Sequence, residues 1–164
     1  MLACAVGTFA RAAARATATV AVALCCVAPV RAHAQRVRMA AGTLALPAGF
    51  VLRELRGTES HPGRVLREDS SLVIHYDIGA MAGVHAHPSH RGTFVWLTEH
   101  TVDGRRAYTG MREQDGRRRM VTTILGESRD AMSLPANFEA DVRDERDVAE
   151  FLLVVTSYSP GPPR

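Results

Sequence analysis

Two Asp-Gly dipeptides, Asp103-Gly104 and Asp115-Gly116, constrain this chain more than any other feature of its sequence. Each separates two strand-like runs and suits a type I′ turn, which needs positive φ at both central residues. Two such hairpins in succession make a three-stranded antiparallel meander. With two-residue loops the register follows, because Val102 then faces Arg105 and Gln114 faces Arg117. Counting back, one face carries Trp96 with Met111 and Met120, Thr98 with Thr109 and Thr122, and His100 with Ala107 and Ile124. The first of these rows is expected to be packing core. The other face carries Val95 with Arg112 and Arg119, Leu97 with Gly110 and Val121, and Glu99 with Tyr108 and Thr123, a mixture that suits a half-exposed sheet. Arg118 faces Glu113 across the strands. The run Arg117-Arg118-Arg119 is thereby scattered over a turn and two faces, which argues against a phosphate-binding patch and against nucleic acid as a partner.

Upstream, Thr43 to Leu46 and Phe50 to Leu52 read as strand pieces around a Pro47-Ala48-Gly49 turn. Gly57 to Gly63 is turn chemistry throughout, with His61 in a solvated loop. Arg64 to Arg67 is a brief strand, and Leu72 to Ile78 a longer one. In that longer run Leu72, Ile74, Tyr76 and Ile78 share a core face, while Val73, His75 and Asp77 share a more polar one. Downstream, Gly126 to Pro135 is an irregular crossing and Asn137 to Val142 a short extended piece. Asp144 to Asp147 resembles a helix N-terminus with acids in the first turn. Val148, Phe151, Leu152 and Val155 then make one apolar helical stripe; the rival is a strand through Leu152 to Thr156.

The first residues are unlike the rest. Arg11 and Arg15 precede an apolar run from Ala16 to Val30 that ends in Ala32-His33-Ala34, the pattern of a secretory signal peptide cut after Ala34. The run is shorter than the roughly 20 residues of a spanning helix, so the mature chain is expected to carry no transmembrane segment. Cys25 and Cys26 lack the small preceding residue of a lipoprotein site. The formal net charge of +3 resides in Arg11, Arg15 and Arg31, so the mature chain is balanced and gives no electrostatic reason for a nucleic-acid or anionic-membrane partner. Cys4, Cys25 and Cys26 also leave with the leader, so neither a disulfide nor a thiol nucleophile is expected. The absence of lysine removes Schiff-base chemistry. The expected organisation is a signal peptide over 1–34, a tether over 35–41, one globular domain over 42–159 and a tail over 160–164, in a protein exported to the periplasm or secreted.

The chemistry-bearing residues are histidines. His85, His87 and His90 lie within six residues, and on an extended backbone His85 and His87 point the same way, as two ligands of a divalent transition metal would. His75 and Asp77 could pair on their strand. His100 lies six residues beyond Phe94, about 20 Å along a strand, and is expected to be remote from the histidine turn. Ser60-His61 and Ser70-Ser71 stand in no nucleophile elbow. Gly79 to Gly83 does not match a phosphate-cradling loop and reads as a bend where backbones approach closely. Glu99, Glu113 and Glu139 have no partner that sequence can assign.

Gly79, followed after five residues by His85-Ala86-His87, resembles the opening of the first cupin motif. That resemblance implies a β-barrel holding a metal with two such histidines, a glutamate and a later histidine. Arg91 and Gly92 stand where the glutamate should be, and no histidine follows His100. A broader resemblance runs through Gly57-Thr58-Glu59-Ser60, Gly63, Ile74 to Gly79, Ala82-Gly83, Asn137-Phe138 and Val148 to Tyr158. It is similar to small uncharacterised exported bacterial proteins, and implies export and one domain with no activity attached.

The expected fold is α+β: an antiparallel β-sheet meander with a C-terminal helix packed on one face, with a cupin-like β-barrel as the alternative. The expected function is a non-enzymatic envelope or binding protein without cofactor. The alternative is a metal-binding cupin-like protein or metal-dependent enzyme centred on His85 and His87.

Overall fold

In the computed structural model, residues 34–126 and 134–161 are described. The signal-peptide segment to residue 33, all three cysteines, and residues 127–133 of the expected irregular crossing lie outside them.

Both Asp-Gly turns form as the sequence requires, with Asp103, Gly104, Asp115 and Gly116 all at positive φ. They join strands β6 (Trp96–Val102), β7 (Arg105–Gln114) and β8 (Arg117–Ile124). The register is the expected one: Trp96 pairs with Met111 and Met111 with Met120, while Glu113 pairs with Arg118. The meander is one flank of a larger sheet. Strands β3 (Phe50–Glu54), β4 (Ser60–Arg67) and β5 (Val73–Gly79) form a second meander, and β9 (Ala136–Val142) lies between β5 and β8. The seven-stranded antiparallel order is β3-β4-β5-β9-β8-β7-β6, open at both edges, so the described residues form a sheet and not the closed barrel of the cupin alternative.

The chain start departs from expectation. Residues 35–41, expected as a tether, contain strand β1 (Gln35–Met39), which pairs with β2 (Gly42–Leu46). Ser159 and Pro160, read as the end of the fold and the start of a tail, form β10 on the other side of β2. The loop expected over Gly57 to Gly63 is a strand from Ser60 onward, with His61, Pro62 and Gly63 paired to Ile78, Asp77 and Tyr76. Turn-forming residues sit in this strand because the fold needs small ones there. A β-carbon on Gly63 would stand 2.1 Å from the Tyr76 hydroxyl, and one on Gly79 2.8 Å from Ser60 Cα.

The helix α1 (Glu145–Thr156) begins at Asp144, whose side chain accepts from the Asp147 amide at 2.9 Å. It excludes the rival final strand. Phe151, Val154 and Val155 are buried, with Val148 and Leu152 packed beside them, against Leu44 and Leu46 of β2 and the first face of the large sheet. Leu72, Ile74, Tyr76 and Ile78 fill that same core. The Trp96 row is only partly core: Met120 is fully buried, Met111 half-buried, and Trp96 on the edge strand is 38 % exposed. The reason is reach, since α1 packs against β9, β8 and β2 and leaves the β6 edge uncovered.

One charge cluster ties helix to sheet. Asp147, fully buried, accepts from Arg67 Nη2 at 2.8 Å and from Arg143 Nε at 2.9 Å. Arg67 Nε also donates to Glu150 at 2.9 Å. The Arg143 contact, supported by Arg67, holds the Asp147 carboxyl far below the ordinary carboxylate range. Burial opposes the charge of Arg67, but its bonds to Glu150 and Asp147 outweigh that cost. Among the described residues no helix is long and apolar enough to cross a membrane.

Candidate functional site

The second face of the large sheet carries the polar chemistry. Strand alternation places His75 and Asp77 of β5, Asn137, Glu139 and Asp141 of β9, and Arg119, Val121 and Thr123 of β8 on it together. Register sets the neighbours: His75 is opposite Glu139, Asp77 opposite Asn137, and Arg119 opposite Asp141. Sequence reading had no means of bringing Glu139 to His75, because β9 inserts between two strands that precede it in the chain.

The segment after β5 crosses this face, and two buried side chains pin it. Thr123 Oγ1 accepts from the amides of His85 (3.1 Å) and Ala86 (2.8 Å) and donates to Asn137 Oδ1 (2.5 Å). Asn137 Oδ1 also accepts from the His85 amide (3.3 Å), and its Nδ2 donates to the carbonyls of Ala82 (2.8 Å) and Gly83 (3.0 Å). Every hydrogen-bonding position of the amide is thus used, the arrangement a buried Asn requires. Ala86 is driven into a small apolar cluster with Tyr108 and Val121, bordered by Phe94, Leu97 and Leu125. Arg112, stacked 4.4 Å over Phe94, donates to the His85 carbonyl.

These contacts determine where His85 points. Its Nδ1 hydrogen-bonds Glu139 Oε1, and its side chain remains 42 % exposed. A carboxylate on one ring nitrogen fixes the orientation of the imidazole and leaves Nε2 for a ligand. Glu139 Oε2 lies 3.9 Å from Arg119 Nη1, and Arg119 Nε donates to Asp141 at 2.7 Å. The Arg119 bond holds the Asp141 carboxyl below its usual range, and Asp141 reciprocally raises Arg119. Desolvation, reinforced by Arg64, pushes His75 below its ordinary value against the opposing pull of Glu139. Beside the crossing segment the face opens into a groove of about 560 Å³, lined by His75, Arg119, Glu139 and Asp141 with Ser70, Ser71 and Val73.

The other expected site residues fall elsewhere. His87 caps the 3-10 segment Pro88–Thr93, its Nδ1 accepting from the Ser89 amide at 3.2 Å, and its ring stands edge-on to Tyr108 at 5.6 Å. His90 lies on that turn with its ring centroid 6.4 Å from that of His87. His85, His87 and His90 therefore do not converge as a ligand set, because burial of Ala86 sends His85 to Glu139 while His87 closes the turn. Among the described residues no group of three or more His, Cys, Asp or Glu side chains is placed to hold a metal. The donors present do not fit the cupin centre that the Gly79 to His87 resemblance implies.

His75 and Asp77 share the polar face as expected, but no hydrogen bond joins them, and Asp77 Oδ1 is buried without a hydrogen-bond partner among the described residues. His61 is exposed on β4. His100 lies on the opposite sheet face from His85, half-buried, bonded through Nε2 to Thr109 (2.7 Å), which bonds Thr122 (2.7 Å). Asn137, Thr123, Glu139, Arg119 and Asp141 are the site residues that sequence reading missed. The available signal was the alternation of β9, Ala136-Asn137-Phe138-Glu139-Ala140-Asp141, which puts three polar residues on one face. No protein-family model matches the chain, and no curated protein matches it.

Proposed function

We propose that this chain is an exported binding domain that takes a small polar ligand on the open half of the second sheet face, over His75, Arg119, Glu139 and Asp141. One observation carries the reading: the crossing segment is pinned by buried Thr123 and Asn137 so that His85 is held on Glu139 at the border of that groove. Buried polar networks of this kind rigidify a site when every member is satisfied. The groove lies within the size range of small-molecule sites. Export is supported by the Arg11-to-Ala34 pattern, and a periplasmic or secreted location follows from it.

The test is a thermal-shift and calorimetric screen of small polar molecules against the wild type and a Glu139→Ala/Arg119→Ala variant. The reading expects at least one compound that stabilises the wild type and whose effect falls at least tenfold in affinity in the variant. Equal effects on both proteins would refute it.

A further inference from the structure

The charges around the groove are unevenly matched. Glu139 is met by His85 and Arg119, and Asp141 by Arg119 at 2.7 Å and Arg117 at 4.0 Å. In the same cross-strand row as Glu139, on the other side of His75, Arg64 of β4 stands directly opposite His75 and Arg53 of β3 directly opposite Arg64. Both arginines are exposed. Neither takes part in an ion pair among the described residues. Like charges directly opposite across a strand pair destabilise a sheet, so this row costs the fold something it does not recover. Glu139, opposite His75 in this row, is already engaged by His85 and Arg119, and Asp77 lies two residues from His75 on the same face.

We infer that Arg53 and Arg64, which adjoin the groove through His75 without lining it, form an anion-recognising extension of it, and that the ligand carries a phosphate group held by the two guanidiniums. Planar guanidinium forks suit phosphate oxygens bidentately. A phosphate there relieves the repulsion, while the remainder of the ligand extends over His75 toward Arg119 and Glu139. The depression of the His75 pKa, to which Arg64 contributes, accords with a local excess of positive charge. This inference rests on the groove reading and deepens it.

The test uses protein expressed from its full sequence, with inorganic pyrophosphate as probe at constant ionic strength. Arg64→Gln is compared with Arg38→Gln, which removes the same charge from an exposed position on β1. Without anion, Arg64→Gln is expected to unfold at a temperature equal to or above the wild type, because it removes the repulsion. With pyrophosphate, the wild type and Arg38→Gln gain several degrees, and Arg64→Gln gains less than a third as much. No gain in the wild type, or equal losses in both variants, overturns the inference. So does binding to phosphatidylglycerol vesicles in place of pyrophosphate. The inference fails separately from the groove reading: a compound whose binding needs Glu139 and Arg119 but is indifferent to Arg64 leaves the groove standing and removes its anion end.

Discussion

Replacing Asn137 tests the pinning of the crossing segment, because its amide uses two donors and one doubly accepting oxygen. Asn137→Ala removes the bonds to the Ala82 and Gly83 carbonyls and those from Thr123 and the His85 amide. Not all of this is lost. Gly83 is exposed, so its carbonyl takes water, and the His85 amide keeps Thr123. The uncompensated losses are the carbonyl of buried Ala82 and the buried Thr123 hydroxyl. At about 1–3 kcal/mol for each buried group left unsatisfied, and with partial relaxation, the expected cost is about 2–3 kcal/mol. For a domain of this size that corresponds to a fall of roughly 6–12 °C in Tm. Asn137→Asp sharpens the test. It keeps the shape but turns an oxygen toward the Ala82 and Gly83 carbonyls, so it should cost at least as much as alanine at neutral pH. Hydrogen exchange should quicken at His85 and Ala86 in both variants, while the β7–β8 ladder stays protected. An aspartate variant as stable as the wild type, with unchanged exchange at those two amides, would refute the clamp.

Three further outcomes are expected. Asp147→Ala leaves buried Arg67 with Glu150 as its remaining carboxylate and removes the acceptor of Arg143, so denaturant titration should show a loss of about 1.5–3 kcal/mol; a loss below about 1 kcal/mol would contradict the role given to the cluster. Folding lowers the pKa of His100, chiefly by desolvation, and likewise that of His75, so between the folded and unfolded values the unfolded chain binds more protons. Their contribution to stability is complete above about pH 6.5 and is lost as pH falls below it; His100→Asn should flatten the Tm-against-pH curve in that window. Gly63→Ala, whose new methyl meets the Tyr76 ring, should cost about 1–3 kcal/mol by denaturant unfolding. Tyr76→Phe should be near neutral because its hydroxyl has no hydrogen-bond partner among the described residues.

What the sequence revealed was local. The Asp-Gly turns determine their own hairpins, so the β6–β8 register could be read residue by residue, and alternation in Leu72 to Ile78 separated core from polar face. The helix was legible from its cap and stripe, but the buried Asp147 was not, since nothing near it in sequence announces Arg67. Pro62 and Gly63 disguised a strand, because the requirement for a small residue at 63 comes from Tyr76 on the neighbouring strand. The candidate site was half visible. Histidine density singled out His85, but its partner arrives on β9, after the long-range insertion between β5 and β8. His87 and His90 shared in that density, but His87 caps the 3-10 turn and His90 lies on it.

The central claim is that the groove over His75, Arg119, Glu139 and Asp141 is where a ligand binds. The most direct measurement is an amide and imidazole chemical-shift map of the isotope-labelled protein during titration with a compound that stabilises it. The account predicts that the largest shifts fall together on Arg64, Ser71 to His75, Arg119 and Glu139 to Asp141, with the His85 ring nitrogens moving in the same titration. Largest shifts on the uncovered β6 edge at Trp96, or on the exposed side of α1 at Leu153, with the groove silent, would contradict it.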